Sequence, residues 1–235
     1  MNAAEVLSEL QALGSPSIKK VLTKHGAREP FYGVKVEDLQ KIRKRIKVDY
    51  ALALELYESG VSDAMYLAGL IADDPRMTRV DLELWVRGAY WYMLAEYTVP
   101  WVAAGNPLGP DLAREWIESP EETIASAGWS TLSCLVALKP DADLDLDELQ
   151  GRLDLVADSI HRRPNRVRHV MNGFVISVGS YVPALTESAL RAAFDVGPVS
   201  VDMGETACKV PSAADVIEKV RAKGTLGKKK KSVKC

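Results

Sequence analysis

Apolar positions in this chain recur every three or four residues along most of its length, and almost nowhere every second residue. Ala4, Val6, Leu7, Leu10 and Leu13 line one face of a first helix that Gly14 stops, and Ser15-Pro16 restarts the chain with proline at a first-turn position. Ile18, Val21 and Leu22 carry the next helix to Gly26, and Val36, Leu39, Ile42 and Ile46 mark another. Leu52, Leu54, Leu56 and Tyr57 follow, ending at Gly60. Ser62 reads as an N-cap before Met65, Leu67, Leu70 and Ile71, with Asp73-Asp74-Pro75 as the stop. Thr78 opens a stretch through Leu82, Trp85 and Val86, and Gly88 separates it from a helix over Tyr90–Val102. That helix ends in the turn Gly105-Asn106-Pro107. Helices over Asp111–Glu118, Glu121–Leu138, Asp145–Ile160, Arg166–Val182, Leu185–Val196 and Ala213–Ala222 complete the chain. No segment of useful length alternates with period two, so the fold class is all-α.

These helices are short and come in pairs joined by brief links, one pair every ~35–45 residues. That is the spacing of a HEAT-like or armadillo-like α-solenoid of antiparallel helix pairs, curved, with a concave basic surface. A four-helix bundle needs fewer and longer helices. The expected organisation is one solenoid domain over residues 1–200, an extension with a short helix over 201–223, and a Lys-rich, flexible tail over 224–235. Gly224 and Gly227 beside the lysine run are the reason for expecting flexibility.

Composition narrows the function classes. With 47% apolar and 26% charged residues in 235, the chain is an ordinary globular one, neither disordered nor a disulfide scaffold. Cys134, Cys208 and Cys235 form no C-x2-C pair, which suits a reducing, cytoplasmic setting. The first residues lack the basic and apolar blocks of a signal peptide. The apolar stretches Thr123–Leu138 and Val170–Thr186 fall short of the ~20 residues a membrane span needs, so no membrane partner is expected.

Charge changes the picture most. The net charge of −2 conceals a segregation: Lys219–Cys235 holds eight basic residues and no acid, leaving 22 basic against 32 acidic residues before it. An acidic body with a basic tail points to an anionic partner or to a solubilising end. Two further basic clusters interrupt the body: Lys41, Arg43, Lys44, Arg45 and Lys47 at the end of one helix, and His161-Arg162-Arg163-Pro164-Asn165-Arg166-Val167-Arg168-His169 running into another. Arginines beside the N–H groups of a helix N-terminus suit phosphate. Lys41, Arg43, Lys44, Arg45, Arg162, Arg163, Arg166, Arg168, His169 and Lys228, Lys229, Lys230 and Lys231 are therefore candidate DNA phosphate contacts. The alternatives are a solvated helix face and an ion-paired loop. His161 and His169 have no third ligand nearby, and neither a metal nor another cofactor is expected.

Trp85, Tyr90, Trp91, Tyr92, Tyr97 and Trp101 concentrate the aromatics. Consecutive helical positions turn by about 100°, so Tyr90-Trp91-Tyr92 cannot all face a core. At least one ring is left to line a groove, where stacking on a base competes with plain packing.

Phe31-Tyr32-Gly33-Val34-Lys35-Val36-Glu37-Asp38-Leu39-Gln40-Lys41-Ile42 resembles the N-terminal signature of the AlkD-like DNA alkylation repair proteins, the HEAT-like alkylpurine DNA glycosylases. Tyr57–Ala68 resembles their next helical element, closed by Ile71-Ala72-Asp73-Asp74-Pro75, and Val167–Ile176 falls where they carry a basic, glycine-containing helix. The resemblance spans about residues 30–195. It implies hydrolysis of the N-glycosidic bond of N3- or N7-alkylated purines, with a carboxylate steadying the oxocarbenium charge and orienting water. It also implies aromatic contacts to the base, with Phe174 standing where the family has its second site tryptophan; Tyr32, Trp91, Tyr92 and Trp129 are the other base-contacting or groove aromatics. Trp91 matches a family tryptophan, while the catalytic Asp position is Ala95 and the family arginine falls around Gly128-Trp129-Ser130. Glu96 is the nearest replacement acid. On α-helical geometry it shares a face with Tyr92 and points away from Trp91.

The expected function is accordingly binding of duplex DNA, damaged or branched, by a monomer whose excision chemistry is lost or rebuilt. An active alkylpurine glycosylase using Glu96, Asp73 or Asp74 is the alternative, and an α-solenoid protein–protein scaffold the third reading.

Overall fold

Five helix starts in this chain are set by side chains that accept the first free backbone N–H groups. Asn2 and Glu5 form a capping box on α1 (Ala3–Leu13), and Asp49 caps α4 (Tyr50–Glu58) through the Leu52 N–H. Thr78 and Asp81 form a second box on α6 (Arg79–Gly88). Each such cap is worth about 0.5–2 kcal/mol. The computed structural model describes residues 1–235. Thirteen α-helices, several short 3-10 turns and one π-helical turn are its only regular elements. The all-α expectation holds.

The chain divides into two compact units. The first comprises Met1–Leu108 together with Met203–Ala207 and Lys234–Cys235, and the second Gly109–Asp202 with Cys208–Val233. The division thus falls within the stretch expected to be one domain, and residues after 200 belong to both units.

In the first unit, α2 (Pro16–Lys24), α3 (Val36–Ile46) and α5 (Ser62–Ile71) join α1, α4 and α6, and α7 (Val99–Ala104) closes the set. Every residue of α5 is buried, and α1, α3, α4 and the π turn Leu94–Thr98 pack around it. Close approach to the π turn requires Gly69, because a Cβ there would lie 2.5 Å from Thr98 Cγ2. Ser62 does not cap α5; Val61 holds that position and Ser62 is already helical. Tyr90–Val102 is likewise not one α-helix. Leu94–Thr98 widens into a π turn before α7 begins.

The second unit is built on α8 (Gly109–Ile117), α9 (Glu122–Leu138), α10 (Leu146–Ser159), α11 (Asn165–Tyr181), α12 (Thr186–Val196) and α13 (Ala213–Ala222). α9 packs on both α8 and α11, α10 packs on α12, and α13 closes against α11 and α12. Consecutive helices joined by short links and packed side by side are antiparallel, the HEAT-like arrangement. The α8–α9 contact is close enough that a Cβ on Gly128 would sit 2.5 Å from the Ile117 backbone nitrogen.

The tail does not behave as a flexible run. Gly227 N–H donates to Ser180 O at 2.9 Å and Lys230 N–H to Ala137 O at 2.8 Å, both within the second unit. In the first unit Lys234 Nζ lies 2.6 Å from Asp74 Oδ1, and the Tyr66 hydroxyl donates to Cys235 O at 2.6 Å. Lysine side chains and backbone N–H groups here satisfy carbonyls and a carboxylate that the helices leave open.

Candidate nucleic-acid interface

The first unit gathers most of the aromatic candidates. The segment before α3 is held by Asp63, a buried acid on α5 whose Oδ2 and Oδ1 accept the N–H groups of Tyr32 at 2.6 Å and Val34 at 2.8 Å. Gly33 between them has φ 77° and a Cβ position 2.7 Å from the Lys19 nitrogen, so only glycine fits. Next to Asp63, the Ser62 hydroxyl accepts the Trp91 indole N–H at 2.8 Å. That fixes a buried tryptophan by its polar edge. Tyr90 donates from its hydroxyl towards Pro30 O and Gly60 O, each at 3.3 Å, and the Arg28 guanidinium lies over its ring.

From Trp91 the rings run on in edge-to-face contact. Trp91 meets Tyr92 at 5.1 Å, Tyr92 meets Tyr97 at 6.4 Å, Tyr97 meets Trp101 at 6.2 Å and Trp101 meets Tyr66 at 5.2 Å. His25 adds a further edge against Tyr92. Trp91, Trp101 and Tyr66 are buried, while Tyr92 is half-buried and Tyr97 exposed. The rings with open surface in this run are therefore Tyr92 and Tyr97, and Tyr32 is half-buried beside Asp63.

Glu96 does not sit on a regular α-helix. It lies in the π turn and is 6% exposed. A π turn closes over five residues, one more than an α turn, so a reckoning of 100° per residue does not carry across it. The acid is turned into the protein beside Ala95, which is buried as well.

In the second unit Trp129 (2% exposed) and Phe174 (0%) face each other edge-on at 5.2 Å. These two rings form core, with no face open to a base, which corrects the expectation for both. Gly128, the neighbour of Trp129, is closed against the Ile117 and Trp116 backbone, so no long side chain fits there.

The basic clusters sort by partner. In the first unit Lys41 pairs with Glu37 and Asp38, and Arg45 with Glu9 at 2.5 Å. Arg43 Nη1 donates to Gln40, and Lys44 is exposed. In the second unit Arg162 pairs with Asp158 at 2.9 Å, and exposed Arg163 touches only the Ser159 hydroxyl at 3.3 Å. The N-terminus of α11 does not offer a free anion site, because the Glu122 carboxylate already accepts the Arg166 N–H at 2.6 Å. Arg168 Nη2 reaches Asn165 Oδ1 at 3.3 Å and its Nε is buried without a partner. His169 is not a cation at neutral pH. Burial and the Arg166 charge push its pKa down to about 4, and its Nδ1 has no partner. Along the tail, Lys229 is engaged with Asp141 at 2.8 Å and Val136 O at 2.9 Å, while Lys228, Lys230 and Lys231 are exposed.

Asp63, which holds the Tyr32 segment, Ser62 as the partner of Trp91 rather than a cap, and the pairing of Asp74 with Lys234 were not foreseen from the sequence. The signal was present: Asp63 is the one charge in the apolar run Val61–Ala72. No helix is long and apolar enough to cross a membrane.

Comparison with known proteins agrees with this architecture. The uncharacterised proteins Lin0241 of Listeria innocua and Lmo0209 of Listeria monocytogenes are each 36% identical over 221 residues, covering 91% of this chain and 95% of their own. A solved structure, described as a new family of proteins related to the HEAT-like repeat DNA glycosylases with affinity for branched DNA structures, matches with a TM-score of 0.92. It is 37% identical, and 100% of both chains is covered. The family model for the DNA alkylation repair enzyme matches residues 6–209. Most of the chain, with the larger part of each unit, lies inside that match, and the chain belongs to the DNA alkylation repair enzyme family.

Proposed function

We propose that this protein binds duplex DNA, with a preference for branched or distorted forms, through phosphate contacts from exposed basic side chains. The observation that carries the reading is the full-length match to a solved protein with affinity for branched DNA, at 37% identity and a TM-score of 0.92. Lys44, Arg163, Lys228, Lys230 and Lys231 are exposed and supply the principal contacts. Lys41, Arg43, Arg45, Arg162, Arg166 and Arg168 contribute where an incoming phosphate outcompetes their present partners. The protein acts as a monomer in the reducing interior of the cell, with Cys134, Cys208 and Cys235 as free thiols.

The test is fluorescence anisotropy with a four-way DNA junction and a linear duplex of equal length, over a range of salt concentrations. Phosphate contacts lower log K linearly with log salt, by about 0.9 per contact. Tighter junction binding with such a slope supports the reading; no binding to either DNA at low salt overturns it.

A second reading is favoured by the burial of Glu96 in the π turn beside the aromatic run. π turns interrupt helices frequently at functional sites. In this reading the carboxylate takes a proton from water as water adds to C1′ of the sugar. The N-glycosidic bond breaks, and its electron pair leaves with the alkylated base. Single-turnover release of N7-methylguanine from duplex by the wild type, abolished in Glu96→Gln, would establish it. No release from a duplex that the protein demonstrably binds leaves the binding function alone.

A further inference from the structure

The two 17-residue helices of the second unit, α9 and α11, carry no basic residue in their last turns. A helix of this kind leaves carbonyls in its last turn with no intrahelical donor and a partial negative charge at that end. The C-terminal segment supplies what is missing at both ends. Lys229 Nζ donates to Val136 O at 2.9 Å and the Lys230 N–H to Ala137 O at 2.8 Å, two successive carbonyls in the last turn of α9. Lys229 also pairs with Asp141, just beyond that helix, at 2.8 Å. The Gly227 N–H donates to Ser180 O in the last turn of α11 at 2.9 Å. Gly227 has φ 72°, and a Cβ on it would lie 2.7 Å from the Pro183 ring, so the crossing from one helix end to the other needs glycine at this point.

This mooring divides the lysine run by role. Lys229 is turned inward and its charge is used. Lys228, Lys230 and Lys231 remain exposed, and the Lys230 ammonium stands 5.8 Å from the Tyr181 ring centroid. We infer that the segment Gly227–Lys231 is a strap that caps α9 and α11 and holds Lys228, Lys230 and Lys231 as an ordered strip for the phosphates of a nucleic-acid backbone, with Lys229 as its mooring. The inference rests on the DNA-binding reading above and deepens it. A flexible polylysine end would use its charges interchangeably, whereas the strap does not. A strip held in place also loses less side-chain and backbone freedom on binding than a free tail does.

The experiment measures the salt dependence of four-way-junction binding by the full chain, its Lys228→Ala/Lys230→Ala/Lys231→Ala variant and its Lys229→Ala variant. Thermal melting of each is recorded alongside. The triple variant is expected to melt like the wild type and to lose about 2–3 units of the log–log slope, about 0.9 for each phosphate contact removed. Lys229→Ala is expected to melt at a lower temperature while keeping the wild-type slope to within half a unit. Gly227→Val, which leaves every lysine in place, is expected to weaken junction binding several-fold at fixed salt.

Equal slope losses per lysine for Lys229 and for the other three would overturn the division of roles. A triple variant with the wild-type slope would overturn the strip while leaving DNA binding intact. A wild type that binds no junction at low salt would instead sink the DNA-binding reading, and this inference with it.

Discussion

The Lys234 ammonium lies 2.6 Å from the Asp74 carboxylate, with the two side chains only 12% and 17% exposed. Lys234 Nζ also reaches Ala72 O at 3.4 Å, and Asp74 backs onto Gly105, where a Cβ would lie 2.5 Å from its Oδ2. Burial raises the Asp74 pKa to about 6 even though Lys234 pulls it down, and burial likewise lowers that of Lys234. Desolvation therefore outweighs attraction at each partner, as is common for buried pairs.

Breaking this pair from one side should cost more than removing it whole. Asp74→Asn and Lys234→Met are each expected to destabilise the protein by about 1–2 kcal/mol, and the double variant by less than either alone. Urea denaturation at pH 7.5 gives the three values. Strict additivity would mean that the pair has no energetic reality.

Asp74 and His169 make opposite contributions to the acid limb of stability. His169 is held at about 4 by burial and the Arg166 charge, below its ordinary 6.5. The unfolded chain takes up its proton first, so stability is lost as pH falls from 6.5 to about 4, by at most about 3 kcal/mol. Asp74 is raised from 3.8 to about 6, so the folded chain holds that proton more tightly and stability is gained as pH falls through 6. The two trends offset each other in the wild type. His169→Gln should unmask the Asp74 trend, making the protein gain stability on acidification from pH 6.5 to 5. An acid limb unchanged by this substitution would refute the assignment to His169.

Two glycines inside helices separate close packing from helix propensity. On α9 a Cβ at Gly128 meets Ile117 N at 2.5 Å and Trp116 C at 2.9 Å, backbone atoms that cannot step aside, whereas Gly151 on α10 has nothing within 4 Å. Gly128→Ala should cost about 1–3 kcal/mol by overpacking. Gly151→Ala should stabilise by about 0.5–1 kcal/mol, because alanine restricts the unfolded chain and suits a helix interior. Paired denaturant titrations decide it, and equal effects would contradict the packing account.

Much of the fold was legible because it is written locally. The Ser15-Pro16 restart, the Thr78 start and the bounds Ala213–Ala222 all follow from caps and breakers within a few residues, and the structure has them. What was not legible depends on partners distant in sequence. The π turn at Leu94–Thr98 leaves no periodic trace, so the 100° reckoning applied to Glu96 had no regular α-helix beneath it. Ser62 looked like a cap because serine before an apolar run usually is one, whereas its hydroxyl is taken by Trp91, 29 residues on. Trp129 and Phe174 were read as base contacts from aromatic character and from the family resemblance, neither of which distinguishes a core from a groove. The lysine run read as flexible because nothing in the run itself reveals that carbonyls of α9 and α11 await donors.

The aromatic run yields a prediction that separates junction from duplex. Tyr92 and Tyr97 are the members with open surface, and Trp91 is held inside by Ser62. Bases at a branch point are partly unstacked and offer a face to an aromatic ring, which base-by-base truncation values place at about 1–3 kcal/mol. Bases within a linear duplex offer none. Tyr97→Ala should therefore weaken binding to a four-way junction by about ten-fold or more and leave linear duplex binding and its salt slope unchanged, while Tyr97→Phe keeps both affinities. Trp91→Phe is the control. It forfeits the hydrogen bond to Ser62 and should lower the unfolding midpoint without altering the junction-to-duplex ratio. Equal losses on the two DNAs for Tyr97→Ala would assign Tyr97 to packing, leaving the preference for branched DNA to the basic side chains.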